Sequence, residues 1–279
     1  MSFRKNERIY YFLSQDQFLK KTFNACNYKL KYDYTNDYFL KKVDSLVSNK
    51  VPNKYHYICH NVDSSFLDCF SEILDDINDE ELLNYLSLIF TNTDICKDND
   101  IDYDDIESKI IKDNYGNLEF KVIIPNAESD SNVLYAALIH ELIHFPQLIS
   151  ESEKIYENSE VLSMYFEYLM YEKLVPGYGL DIFINNRLIS LKNVFKILKS
   201  DLYYAINPDI LNIKNDKYSL VLASYISYIE GIEQTLNLIE NKIQGKNLSS
   251  VLLNRIPLED ILENYNADGD YIHIKKLLK

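Results

Sequence analysis

Residues 133–145 have the sequence VLYAALIHELIHF, in which apolar side chains surround two histidines and a glutamate. Before this run, the polar residues Asp130, Ser131 and Asn132 are all suited to cap the N-terminus of a helix. Pro146 follows it, and because proline lacks a backbone N–H, it predicts that the helix ends or kinks there. We therefore predict an apolar helix over this stretch.

His140, Glu141 and His144 form the pattern His-Glu-x-x-His on this predicted helix. Residues four apart lie on the same face, one turn from each other, so both imidazoles can reach one metal ion while Glu141 projects toward its bound water. The chain has five His and 19 Glu among 279 residues. At those frequencies about 0.006 chance matches are expected, so we interpret the motif as a zinc site.

The rest of the sequence predicts a mainly helical protein with a small β-sheet. Apolar residues at spacings of three and four predict helices within residues 1–93, and the acidic run DICKDNDIDYDDIE predicts a surface loop at 94–107. Two β-rich runs on either side of Tyr115 and Gly116 predict a hairpin that ends at Pro125. Further helices are predicted near residues 153–173, 181–204, 218–242 and 258–265, with a turn at 175–180.

We expect these elements to form an N-terminal helical lobe, residues 1–107, and a zincin-like catalytic region, residues 108–279, within one continuous compact domain. In this mainly α (α+β) fold, the hairpin lies beside the active-site helix and other helices surround both. Residues 118–124 are expected to form an edge strand. An extended substrate could pair with the backbone of this strand.

A catalytic zinc site needs a third protein ligand and an open position for water. Glu160 and Glu167 are seven residues apart, close to two helical turns, so they share one helix face. Spacing alone leaves the choice of ligand open among the downstream glutamates, which are Glu151, Glu153, Glu157, Glu160, Glu167 and Glu172.

Residues 159–169, SEVLSMYFEYL, resemble the E-V-x-S-x-x-x-E-x-L stretch of the M3 metallopeptidases, the oligoendopeptidase F and thimet-oligopeptidase-like enzymes. These enzymes are gluzincins, in which a glutamate on the helix after HExxH is the third zinc ligand. The resemblance implies that Glu160 binds zinc and that Glu167 orients a ligand histidine. Residues 223–228, ASYISY, are similar to a family stretch whose tyrosines stabilise the tetrahedral intermediate, which implies that role for Tyr225 or Tyr228.

The likeness extends over about residues 120–230 and departs from the family pattern at several points. Ile143 is found where members usually have Gly, and Gln147 where they often have a further His. The spacer between His144 and Glu160 is shorter than usual, and the chain is much smaller than typical members. The resemblance therefore implies an unusually compact M3-like gluzincin.

Together these residues predict a zinc-dependent metallopeptidase that hydrolyses peptide bonds with a zinc-activated water and Glu141 as the general base. One Zn²⁺ ion is expected as cofactor, and a peptide or protein as substrate. The tetrapeptide HELI also resembles clostridial neurotoxin light chains, and the short acidic-helix arrangement resembles the ImmA/IrrE regulatory proteases. A selective protein-cleaving toxin or effector, or a regulatory protease of the same chemistry, is therefore an alternative. A non-catalytic, metal-containing binding module is another.

The composition limits the partners and the location. The formal net charge is −14, from 29 Lys and Arg against 43 Asp and Glu, which argues against a nucleic-acid partner. We find no signal peptide and no apolar run long enough to cross a bilayer, so we expect no membrane insertion and a cytoplasmic location, or delivery by a route that the sequence does not show.

The four cysteines form no CxxC pair and are expected to be free thiols. We interpret His56 and His60 as part of an aromatic cluster, and the sequence leaves the oligomeric state open.

Overall fold

The computed structural model describes residues 37–53, 64–77, 80–98, 100, 106–112, 118–125, 131–149, 159–206, 216–241 and 270–279. Helices predominate in these ranges, as the sequence predicts. The helices are α1 (Asp37–Val47), α2 (Phe66–Ile77), α3 (Glu80–Thr91), α4 (Asn132–Ile149), α5 (Ser159–Leu174), α6 (Gly179–Ile206), α7 (Asp216–Glu240) and α8 (Ile272–Leu277), and the strands are β1 (Thr93–Asp98), β2 (Glu107–Lys112) and β3 (Leu118–Pro125). The helix predicted near residues 258–265 and the histidines at 56 and 60 lie outside the described residues.

The predicted active-site helix is α4, and a serine caps it. The backbone N–H of Leu134 donates to Ser131 Oγ at 3.1 Å, and that of Tyr135 donates to the carbonyl of Ser131, also at 3.1 Å. Ser131 is therefore the N-cap residue among the candidates. The helix continues to Ile149, so Pro146 lies in its last turn and does not end it.

The predicted hairpin is present, because β2 pairs antiparallel with β3 and β3 ends at Pro125. The loop predicted at residues 94–107 is wrong over its first part. Residues 93–98 form β1, which pairs parallel with β3 so that Thr93 lies opposite Phe120. The side chains of β1 are mostly exposed, so the acidic composition correctly indicates a solvated surface. It does not show that the backbone is hydrogen-bonded to a neighbouring strand, because that pairing is set by tertiary contacts.

The order of the strands also corrects the prediction for residues 118–124. In the described sheet the order is β1-β3-β2, so β3 is the central strand and not an edge. Its backbone is paired on both sides because β1 occupies the edge that the sequence analysis left free. An extended substrate therefore has no open edge on β3 to pair with.

Helix α5 lies at the centre of the helical layer and contacts α2, α4, α6 and α7. All seven residues from 161 to 167 are buried, which is typical of a helix surrounded by other elements rather than one with a single buried stripe. Strand β3 and helix α4 extend the same core, since the rings of Phe120 and Phe145 lie 5.0 Å apart. The core thus fixes α4 against both the sheet and α5.

The helices before the sheet share this core. The ring of Phe66 on α2 packs against Phe90 on α3 and Tyr135 on α4, at centroid distances of 6.0 and 5.7 Å. The pairing of β1 with β3 also crosses the predicted boundary at residue 107. The division into a lobe and a catalytic region stays a prediction. Among the described helices, none combines the length and the apolar composition needed to cross a membrane.

The last helix, α8, was not predicted from the sequence and is bound to α7 by polar contacts. The backbone N–H groups of His273 and Ile274 each donate to the carboxylate of Glu233 at 2.9 Å. The imidazole of His273 lies between Glu233 Oε1, at 2.8 Å, and Glu240 Oε2, at 2.6 Å. Glu233 therefore caps α8 and ties the end of the chain to α7.

Candidate metal centre

The two motif histidines lie one turn apart on α4 and face α5. Their ring centroids are 4.9 Å apart, and the rings meet edge to face. The side chains of His140 and His144 are only 12% and 10% exposed. A pair of polar rings so deeply buried needs partners, because an unpaired buried polar group is costly.

Glu160, in the first turn of α5, completes a three-residue group with these histidines. Its Oε2 lies 3.7 Å from Nε2 of His140, and its Oε1 lies 3.9 Å from Nε2 of His144. One potential ligand atom from each of the three side chains lies within 4.8 Å of the others. Zinc–ligand bonds of about 2.0–2.2 Å in a tetrahedron place ligand atoms roughly 3.4 Å apart, so small side-chain adjustments bring these atoms to one ion.

The outer nitrogen of each imidazole contacts a side chain of α5. Nδ1 of His144 lies 3.2 Å from Ser163 Oγ, and Nδ1 of His140 lies 3.2 Å from Glu167 Oε2. Glu160, Ser163 and Glu167 follow one another at three- and four-residue spacings, so one face of α5 supplies all three contacts. Such partners fix the tautomer and orientation of ligand histidines.

Arg187 of α6 provides positive charge beside this group. It donates to the Glu167 carboxylate and to the Tyr228 hydroxyl, and its side chain is only 11% exposed. Burial alone would raise the pKa of Glu167, but the charge of Arg187 and the contact with His140 outweigh it and lower that pKa. Burial opposes protonation of His140, yet the neighbouring Glu167 and Glu160 together raise its pKa above the ordinary value.

The formal charges of the group indicate which ligand it suits. Counted as ions, Glu141, Glu160 and Glu167 contribute −3 and Arg187 contributes +1, which leaves −2 with neutral histidines. A divalent cation neutralises that charge. Two imidazole nitrogens and one carboxylate also make up a donor set used by catalytic zinc sites. The residues present therefore fit a zinc ion.

The other predicted site residues that the structure describes lie on α4, α5 and α7. Glu141 is half-buried on α4 beside His140. Tyr228 joins the group through Arg187; burial raises the pKa of its hydroxyl, and Arg187 partly opposes this. Tyr225, one turn earlier on α7, packs against the hydrophobic core. Among the other ligand candidates, Glu172 accepts a hydrogen bond from the backbone N–H of Gly177 at 2.9 Å, while Glu151, Glu153 and Glu157 lie outside the described residues.

Gly231 brings α7 against the end of α5 that carries Glu160. A Cβ atom built on Gly231 would lie 2.7 Å from the Cβ of Glu160, closer than carbon atoms approach without a shift. One turn further along α7, the Thr235 hydroxyl donates to the Val161 carbonyl at 3.0 Å and holds the two helices together. The absence of a side chain at 231 is what leaves room for Glu160.

The roles of Ser163, Arg187 and Gly231 were not predicted from the sequence. Ser163 had a signal, because it lies three residues after Glu160 on the same helix face. Arg187 is one of only four arginines in the chain, but no spacing links it to the motif. Gly231 had no local signal, since its role depends on how closely α7 approaches α5.

No family model, no curated protein and no solved structure matches this chain.

Proposed function

We propose that the protein is a zinc-dependent metallopeptidase with one zinc ion bound by His140, His144 and Glu160. The observation that supports this most is the convergence of their three donor atoms within 4.8 Å, where α4 meets the start of α5. Three protein ligands leave the fourth tetrahedral position for water or substrate, which is typical of catalytic zinc sites and not of structural ones.

The residues of the chain take distinct roles in this proposal. Zinc supplies, when bound, a Lewis acid that lowers the pKa of a water molecule toward ~7 and polarises the peptide carbonyl. Glu141 accepts the proton of the attacking water and delivers it to the leaving amine. Ser163 and Glu167 hold the two imidazoles through Nδ1, so that each Nε2 is directed at the ligand position.

Tyr228 is the better supported of the two tyrosines as a donor to the developing oxyanion. Its hydroxyl is held by Arg187, which also contacts Glu167 beside His140. It lies one turn before Gly231, and Gly231 contacts Glu160. A donor held by a fixed partner needs little reorganisation when charge develops in the transition state.

The substrate is proposed to be a peptide or a flexible protein segment. Pairing with residues 118–124 is not part of the proposal, because β3 is central in the sheet. The edge strand β2 contacts α4, so its outer edge is the one that an extended substrate would use beside the active-site helix.

The decisive experiment compares Glu141→Gln with the wild-type protein. Both are loaded with one equivalent of zinc, and cleavage of a quenched fluorescent peptide library is followed. We expect Glu141→Gln to retain zinc and to lose at least ~100-fold in kcat, since general-base catalysis contributes about 10²–10⁴. Glu80→Gln, at an exposed position of α3, is the matched control and should cleave normally. Zinc binding without cleavage by the wild type would contradict the peptidase and favour a non-catalytic metal-binding module.

A further inference from the structure

Arg187 connects three helices around the metal centre. It is on α6, and its guanidinium donates to Glu167 on α5 and to Tyr228 on α7. It also lies over the rings of Phe183 and Tyr228, each 5.6 Å from the guanidinium carbon. Since its two terminal nitrogens bind different partners and aromatic rings flank it, the guanidinium is held in one orientation.

Glu167 is the partner through which Arg187 reaches the metal. Its side chain is only 3% exposed, and the same oxygen, Oε2, contacts both Arg187 and Nδ1 of His140. Burying a carboxylate this deeply is costly unless a cation is paired with it, and Arg187 is that partner. At 3.2 Å from Nδ1 of His140, the Glu167 carboxylate favours the tautomer with the proton on Nδ1, which leaves the Nε2 lone pair for a metal ion.

We propose that Arg187 is a positioning residue for the metal centre, which sets its zinc affinity by holding the Glu167 carboxylate aligned against the ligand His140. Arg187 itself does not contact the metal. Tyr228 anchors the other end of the guanidinium and keeps it from turning away from Glu167. This inference rests on the zinc binding in the proposed function but not on peptide hydrolysis.

The test measures the zinc affinity of the purified full chain by competition with a chromophoric chelator. The variants are Arg187→Met, Glu167→Gln and the double variant. Changes in the groups that support metal ligands typically cost 10–100-fold in affinity, and we expect each single variant to fall in that range. Because Arg187 acts through Glu167, the double variant should bind zinc no more weakly than the weaker single variant. Losses that multiply in the double variant would overturn the proposal.

Arg187→Met leaves a buried carboxylate without its cation, and this variant could fail to fold. The double variant removes both charges together and avoids that problem. The comparison of Glu167→Gln with the double variant then decides the question on its own. Equal zinc affinities support action through Glu167, whereas a further loss of more than about threefold from removing Arg187 refutes it.

A matched control separates this role from a general effect of losing an ion pair. Lys173 also lies on α5, where it pairs with Asp76 at 2.9 Å and with Glu72 at 3.5 Å on α2. Lys173→Met changes the charge by the same amount and should keep zinc affinity within about twofold of wild type. The d–d spectrum of the Co²⁺-loaded protein should change for Arg187→Met and stay unchanged for Lys173→Met. A folded Arg187→Met protein with wild-type affinity and spectrum would exclude the positioning role, whether or not the wild type cleaves peptides.

Discussion

The contact between Gly231 and Glu160 predicts that one added methyl group disturbs the proposed metal centre. In Gly231→Ala the new Cβ would lie 2.7 Å from the Cβ of Glu160 and 3.4 Å from the Met164 methyl carbon. Carbon atoms prefer separations of about 3.5–4.0 Å, so the helices must part by about 1 Å. Rotation of a flexible side chain does not relieve this contact, because the nearest atom is the Cβ of Glu160, which is fixed to the helix backbone.

The expected magnitude follows from that overlap. Overpacking of a core costs about 1–3 kcal/mol, and Ala regains about 1 kcal/mol over Gly in a helix, so the net loss of stability is about 0–2 kcal/mol. Zinc sites tolerate deviations of about 0.2 Å in ligand distances, far less than this shift. We therefore expect zinc affinity to fall at least ~10-fold, equivalent to about 1.4 kcal/mol.

Chelator competition gives the zinc affinity, and urea unfolding gives the stability. The control is Gly177→Ala, at a residue with φ of +80° and no atom within 4 Å of an added Cβ. The positive φ means that Gly177→Ala lowers stability by about 1 kcal/mol. Gly177 lies in the turn between α5 and α6, so this loss of stability should leave zinc affinity unchanged. Wild-type zinc affinity in Gly231→Ala, or equal losses in both variants, would refute the reasoning.

Three further predictions concern other parts of the chain. Ser163→Ala removes the contact with Nδ1 of His144 and should weaken zinc binding about 10-fold in chelator competition, with Ser163→Thr retaining more affinity. Glu233→Gln should weaken the attachment of α8 to α7. We expect faster amide hydrogen exchange at residues 272–277 and a free energy of unfolding about 1–3 kcal/mol lower. Unchanged exchange would contradict the capping role. Burial raises the pKa of Glu230 to about 8, against a hydrogen bond from Tyr271 and with help from the charge of Glu233. The pKa of Glu230 is higher in the folded than in the unfolded state, so its contribution to stability is complete below pH ~4.3 and is lost as the pH rises through 8. In Glu230→Gln, the free energy of unfolding in urea should therefore vary less with pH across this window. A pH profile equal to that of the wild type would contradict the prediction.

Local patterns in the sequence predicted the longer helices and the hairpin because their determinants lie within a few residues. Ser131 caps α4 in the way its position suggests, and the apolar run at 133–145 is helical. The spacing of His140 and His144 places both rings on one helix face for the same reason. Glu160 could be chosen among the glutamates only through a family resemblance, and the structure places it beside both rings.

The features that the sequence did not predict depend on contacts between distant segments. The run at residues 93–98 is polar and mostly exposed, and only its backbone pairing with β3 makes it a strand. Arg187 lies 20 residues from Glu167 and 41 from Tyr228, so no periodicity connects them. The helix α8 likewise depends on Glu233, 40 residues earlier in the chain.

The acidic strand β1 has a consequence for solubility. Until β1 pairs, the apolar residues Val122 and Ile124 of β3 lie on a strand with an open edge, which is a template for pairing with another chain. β1 closes that edge and places exposed charged side chains, including Asp94, Lys97 and Asp98, along the new one. Charges on an edge strand oppose further strand addition. The same residues that look like a loop in the sequence therefore protect this edge of the sheet from pairing with another chain.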